Sequence, residues 1–128
     1  MSHKRRSVLE KKNLRGIELG LGAEPGLIIL RNSVGKATYT GADASEYHVP
    51  FGLGVGSPDL VGLLRAPSGQ FAAWFCLEVK ADEGDLDPEQ VKCHAIWRRF
   101  GALIFVVRSV AEARVALDSA RALLRRAA

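Results

Sequence analysis

Residues 57–80 read SPDLVGLLRAPSGQFAAWFCLEVK, and this stretch decides the architecture. Leu60–Leu64 and Phe71–Val79 are strand-like runs separated by the segment 65–70, which carries the turn residues Pro67 and Gly69. Two such runs joined by a short turn predict a β-hairpin. With the turn centred between Ser68 and Gly69, cross-strand partners have numbers that sum to 137, so Asp59 faces Glu78. Opposed residues of an antiparallel pair point to the same side, with Cβ atoms about 4.5–5.5 Å apart. Lys80 lies two residues beyond Glu78 and projects from that side too. A bulge would slip the register by one residue and separate the carboxylates.

Working outward, 81–85 is an acidic loop and Asp87-Pro-Glu-Gln90 is a helix start, with Asp87 as N-cap, Pro88 at N1 and Gln90 at N3. That helix is expected to run to about Phe100 and to stop at Gly101. Leu103–Val107 reads as a buried strand, and Ser109-x-x-Glu112 as a capping box opening a last helix that ends near Arg125. Upstream, Ser7–Leu21 is an amphipathic helix with Leu14, Ile17 and Leu21 on one stripe, ended by Gly22 and Pro25-Gly26. Leu27–Arg31 is a short strand. Residues 32–47 read as a loop with a short strand near Ala37–Tyr39, and 51–57, with Gly52, Gly54 and Gly56, as a turn-rich approach to the hairpin. The whole is one α/β domain over residues 1–128, with a mixed sheet that is partly antiparallel because of the hairpin.

The 128 residues suit a single domain, and 48% hydrophobic with 25% charged residues supports a core. No apolar run is long enough to span a bilayer as a helix, and the basic start 1–6 is not followed by a secretory apolar segment, so a cytoplasmic protein is expected. Cys76 and Cys93 match no zinc or redox spacing and read as free thiols. The net charge of +4, with basic clusters at Lys4-Arg5-Arg6 and at Arg121, Arg125 and Arg126, permits a polyanionic partner, although charge alone favours a merely solvated surface.

Two adjacent carboxylates repel unless a cation lies between them or one is protonated. One explanation for Asp59, Glu78 and Lys80 together is a Mg²⁺ or Mn²⁺ site for phosphodiester hydrolysis, with the Val79 carbonyl as a further ligand. The other is a turn cap at Asp59 and a surface salt bridge between Glu78 and Lys80; on spacing alone the two are even. Glu10 lies at the centre of the Leu14/Ile17/Leu21 stripe, where a carboxylate is costly unless paired or coordinating. It is therefore a candidate contact to metal or water, with exposure at a frayed helix start as the alternative. Glu18, on the edge of the stripe, is expected to be solvated. Gln90 closes the capping box with Asp87, faces the metal site, or does both. His3, His48 and His94 show no ligand spacing, and His94 is expected to be packed or exposed. Gly52-x-Gly54-x-Gly56 precedes a strand where a nucleotide-binding loop should follow one.

Gly56-Ser-Pro-Asp59-Leu-Val, Leu77-Glu-Val-Lys80, Gly84-x-Leu-x-Pro-Glu-Gln90 and Val106-Val-Arg-Ser-Val110 together resemble the virus-type replication-repair nuclease (VRR-NUC) domain of the PD-(D/E)xK superfamily. The resemblance spans about Glu10 to Leu117 and implies a restriction-endonuclease-like core. It implies metal binding by Asp59, Glu78 and the Val79 carbonyl, catalysis by Lys80, and roles for Gln90 and a first-helix glutamate that maps to Glu10. Arg31-Asn32 resembles a recurring pair after the first strand, for DNA contact or loop anchoring, and Lys36 joins them as a candidate nucleic-acid contact. A departure from the family is the long loop 32–55. Small members of the family are typically homodimers acting on branched DNA. A Mg²⁺- or Mn²⁺-dependent, structure-directed DNA endonuclease is thus the leading expectation. A non-catalytic nucleic-acid-binding module with the nuclease fold, or a nuclease for RNA, are the alternatives.

Overall fold

In the computed structural model, which describes residues 3–127, nine elements follow one another. They are α1 (His3–Leu21), β1 (Leu27–Arg31), β2 (Gly35–Thr40), β3 (Glu46–Phe51), β4 (Leu60–Arg65), β5 (Ala72–Val79), α2 (Pro88–Arg99), β6 (Leu103–Val107) and α3 (Val110–Arg126). Of the basic cluster near the N-terminus, the side chains of Lys4 and Arg6 lie outside the described residues, as does that of His3.

Four strands form the main sheet in the order β1-β4-β5-β6. The hairpin takes the register expected of it: Leu60 pairs with Leu77 and Val61 with Cys76, which puts Asp59 opposite Glu78 just past the last pair. β1 adds to β4 antiparallel, and β6 adds to β5 parallel after the crossover through α2, so the sheet is mixed and flanked by helices. Alternation along β5 then divides the molecule into two layers. Phe75, Leu77 and Val79 join Ile17 and Leu21 of α1 and Ala113, Leu117 and Ala120 of α3 in the larger core. Cys76, with Val61 and Ile104, faces the opposite way, toward Trp97 of α2. Glu78 and Lys80 share the parity of Cys76 and so lie on the α2 side.

The helix start at Asp87 forms as expected: Asp87 Oδ1 accepts from Gln90 N (2.8 Å) and Gln90 Oε1 from Asp87 N (3.0 Å). Gly101, at φ 95°, follows the C-cap Phe100 in the left-handed region where glycine is favoured. The cap of α3 departs from the expected box. Ser109 Oγ accepts from Glu112 N (3.1 Å), but the Glu112 carboxylate reaches past the cap to Arg108 N (2.6 Å).

Three further expectations are corrected. α1 begins at His3, not Ser7, so the basic lead-in is part of the helix. Residues 32–47 are not a loop with one short strand: β2 pairs with β3 in a separate ribbon, in which Tyr39 and Tyr47 are cross-strand partners with rings stacked 5.5 Å apart. Pro50 and the polar Glu46 and His48 obscure β3 in the sequence, and its order comes from its partner strand. Finally, β6 is an edge strand in which Ile104 and Val107 are buried and the rest is half-buried.

Candidate metal centre and active site

The two hairpin strands deliver the carboxylates, and the backbone then locks them. Where the β4–β5 ladder ends, Asp59 turns its side chain onto the next strand, and Asp59 Oδ2 accepts from Val79 N at 2.8 Å. Its own carbonyl accepts from Asn32 N (2.8 Å), tying the residue to the end of β1 as well. Glu78 is 1% exposed and Lys80 9%, so neither belongs to a surface salt bridge, and that alternative is excluded. Burial raises the Glu78 carboxyl to about 10, aided by its hydrogen bond to Asp59 and by the Asp59 charge, while Lys80 pulls the other way. Two carboxylates this close favour a shared proton or a cation between them.

Lys80 leaves the end of β5 under tight control. Its backbone N–H donates to Val107 O (3.0 Å), extending the β5–β6 pairing, and its Nζ donates to Gln90 Oε1 (2.9 Å). Gln90 thus closes the cap of α2 and also hydrogen-bonds Lys80 at the cavity. Helix α1 reaches the same place from the other face of the sheet, around the C-terminal end of β5. Asn13 Nδ2 donates to the carbonyls of Lys80 (3.2 Å) and Arg108 (2.9 Å), and Glu10 Oε1 accepts from Ala81 N (3.4 Å). Glu10, Asp59, Glu78, Val79, Lys80 and Gln90 all line one open cavity of about 190 Å³, so the five side chains singled out in the sequence and Val79 are brought together.

A second cavity of about 570 Å³ adjoins the first and shares Lys11, Leu14, Asp59 and Gln90 with it, adding Arg15, Arg31, Asn32 and Asp87. Gly56 shapes this edge. It sits at φ 85°, and a Cβ there would come within 2.4 Å of Glu89 O, so only glycine lets the loop before Asp59 close against α2. Arg31 pairs with Glu18, which is therefore not simply solvated as expected. Asn32 is buried, its amide donating to Ser57 Oγ (2.7 Å) and Pro58 O (2.8 Å) and accepting from Leu53 N (3.0 Å). Of its two expected roles, this geometry is that of a loop anchor. Lys36 is exposed on β2, apart from both cavities.

His94 and Asn13 were not legible as site residues, although a signal existed for each. His94 is fully buried on α2, with Nε2 3.3 Å from Glu78 Oε1. It lies four residues from Gln90, on the same helix face. Burial holds its imidazole below the ordinary value, with Arg98 and Lys80 adding to the effect. Asn13 lies about one turn from Glu10 on α1, a spacing that puts both on the same side of the helix, but an asparagine within a helix carries no local signal of its long-range contacts. Cys76 and Cys93 are both free, and burial raises the Cys76 thiol to about 12, so it is an inert packing residue.

The donors fit a hard divalent cation. Two carboxylates, those of Asp59 and Glu78, meet at an open cavity. Among the described residues no group of three or more His, Cys, Asp or Glu is arranged to hold a metal on its own. Mg²⁺ commonly needs only one or two carboxylates, with water and substrate oxygens completing the shell.

No protein-family model matches the chain, and no curated protein matches it. A solved structure described as a VRR_NUC domain is similar at 22% identity, covering 90% of this chain and 92% of that chain, with a TM-score of 0.45. Among the described residues no helix is long and apolar enough to cross a membrane.

Proposed function

We propose that this protein is a metal-dependent nuclease that hydrolyses phosphodiester bonds in DNA at the cavity formed by Asp59, Glu78 and Lys80. The observation that carries the reading is the convergence of two carboxylates and a nearly buried amine on one open cavity. A Mg²⁺ or Mn²⁺ ion held by Asp59, Glu78 and the Val79 carbonyl would supply Lewis acidity toward the phosphate and acidify a bound water. The chain's own residues do the rest. Asp59 is held by Val79 N–H and needs no reorganisation to act as a ligand. Lys80, aimed by Gln90, orients the attacking water or neutralises charge growing on the phosphate oxygens. Glu10, which lines the same cavity, would contact the metal or its water.

Lys11 and Arg15 in the adjoining cavity suit the phosphates on either side of the scissile bond. Contacts of this kind track backbone and shape and not base sequence, which favours branched DNA such as a junction or flap. Homodimerisation belongs to the same reading. The surface we assign to it is the half of the sheet that α2 leaves bare, where Ile28, Leu30, Leu63 and Trp74 are exposed beside Ile96 and Phe100.

The test is cleavage of junction, flap and plain duplex DNA and of structured RNA with Mg²⁺ or Mn²⁺, by the natural protein, Asp59→Ala and Lys80→Ala. Branched DNA should be cut, and both variants should lose at least about a thousandfold in rate. Cleavage that ignores both substitutions, or no cleavage of any nucleic acid with manganese present, rejects the reading. A non-catalytic binding module would retain its nucleic acid in all three proteins and cut none. Preferential cutting of RNA would move the assignment to an RNA nuclease.

A further inference from the structure

The described residues contain three buried side-chain polar atoms without a hydrogen-bond partner: Glu78 Oε1, His94 Nδ1 and His94 Nε2. Two of them lie close together, Nε2 3.3 Å from Oε1, with the histidine fully buried and Glu78 at 1% exposure. A buried polar group left unpaired is destabilising, so two such groups in contact are not idle neighbours. Their placement is also systematic. Glu78 near the end of β5 and Lys80 just past it are two residues apart, about 6.7 Å in extended chain. His94 and Gln90 are four apart on α2, about 6 Å along a helix. The matched spacings let one helix face address both strand residues, Gln90 reaching Lys80 and His94 reaching Glu78.

We propose that His94 is a positioning residue for the metal site: its Nε2–H donates to Glu78 Oε1 and fixes that carboxylate so that its other oxygen is presented to a divalent cation shared with Asp59. This inference rests on the metal reading of the cavity. Removing the hydrogen bond leaves Glu78 free to rotate and its Oε1 unpaired, and partners of this type are worth about 10–100-fold in metal affinity. A histidine serving only as packing would be replaced by leucine without loss of metal binding.

Two measurements on the full chain test this. Imidazole ¹⁵N–¹H correlation spectra of the metal-free protein should show His94 protonated at Nε2, with that resonance moving in Glu78→Gln and on addition of Mg²⁺. Calorimetric titration with Mn²⁺ should show His94→Leu binding about 10–100-fold more weakly, with most of the loss restored in His94→Gln, which keeps an N–H donor. An unprotonated Nε2, the state of a direct metal ligand or of an unengaged ring, overturns the proposal, as does undiminished Mn²⁺ affinity in a folded His94→Leu. Should the leucine variant fail to fold, the spectrum of the natural protein decides. A natural protein that takes up no Mn²⁺ sinks the metal reading instead, and the spectrum still judges the hydrogen bond between His94 and Glu78.

Discussion

At Glu78 the proposed metal-binding role and stability oppose each other. Its carboxyl is raised from the ordinary 4.5 to about 10, first by burial and then by Asp59. A group whose folded value is raised contributes most below its unfolded value, and the folded state loses that contribution as pH rises from 4.5 toward 10. At pH 8 the metal-free protein therefore carries a cost that a neutral amide would not. Glu78→Gln should melt higher than the natural protein at pH 8 in the presence of a chelator, by on the order of 1 kcal/mol or about 3–6 °C, with the difference shrinking toward pH 5. The same variant should lose divalent-cation binding and cleavage. Equal melting temperatures at pH 8 would mean that Glu78 bears no such burden. Asp59 offers no parallel gain, because its carboxylate already holds Val79 N–H.

At the scale of elements, the site depends on how the ends of α1, β1, β5 and α2 are fastened together. Asn13 ties α1 to the ends of β5 and β6, and Asn32 ties the end of β1 to the loop that leads into Asp59. Asn32→Ala should destabilise the fold by about 2–3 kcal/mol, since it removes three hydrogen bonds from a buried amide. Faster amide exchange concentrated at residues 53–57 would confirm the anchor. A variant that kept its stability and lost only DNA affinity would return Asn32 to the role of a nucleic-acid contact. Gln90→Ala should act on two elements at once, fraying the first turn of α2 by about 1 kcal/mol and releasing Lys80. Its cleavage rate should fall further than that small loss of stability explains, a split read by comparing kcat with the melting curve. The helix start and the hairpin were legible beforehand because each is a local pattern: Asp87-Pro-Glu-Gln90 in four residues, and Pro67 with Gly69 between two apolar runs. The β2–β3 ribbon was not, because Glu46–Phe51 has no strand pattern of its own and is ordered by pairing with Gly35–Thr40.

For the whole molecule, the uneven cover of the sheet is the main consequence of the topology. Helices α1 and α3 bury one face, whereas α2 alone serves the other and lies over the β5–β6 side. Ile28, Leu30, Leu63 and Trp74 are left exposed on the remaining half, and Phe100 at the end of α2 is 89% exposed. If a second copy covers this face, sedimentation should show a concentration-dependent dimer that Leu63→Lys or Trp74→Glu converts to monomer without unfolding it. A natural protein that remains monomeric at high concentration would dispose of the dimer. Association with DNA should weaken steeply with salt, as Lys11 and Arg15 displace counterions.

Residues close together in sequence carried their own geometry. The hairpin turn set the register that opposes Asp59 and Glu78, alternation put Lys80 beside Glu78, and helical periodicity turned Glu10 inward, because each follows from a backbone repeat of fixed period. Only the tertiary structure could decide which layer lies over which residue. That α2 lays His94 against Glu78, that Asn13 reaches two strand ends from the opposite face, and that Glu18 pairs with Arg31 are contacts between segments 13–95 positions apart. No local repeat specifies such contacts; they exist because the packed core holds those segments at one distance and one angle.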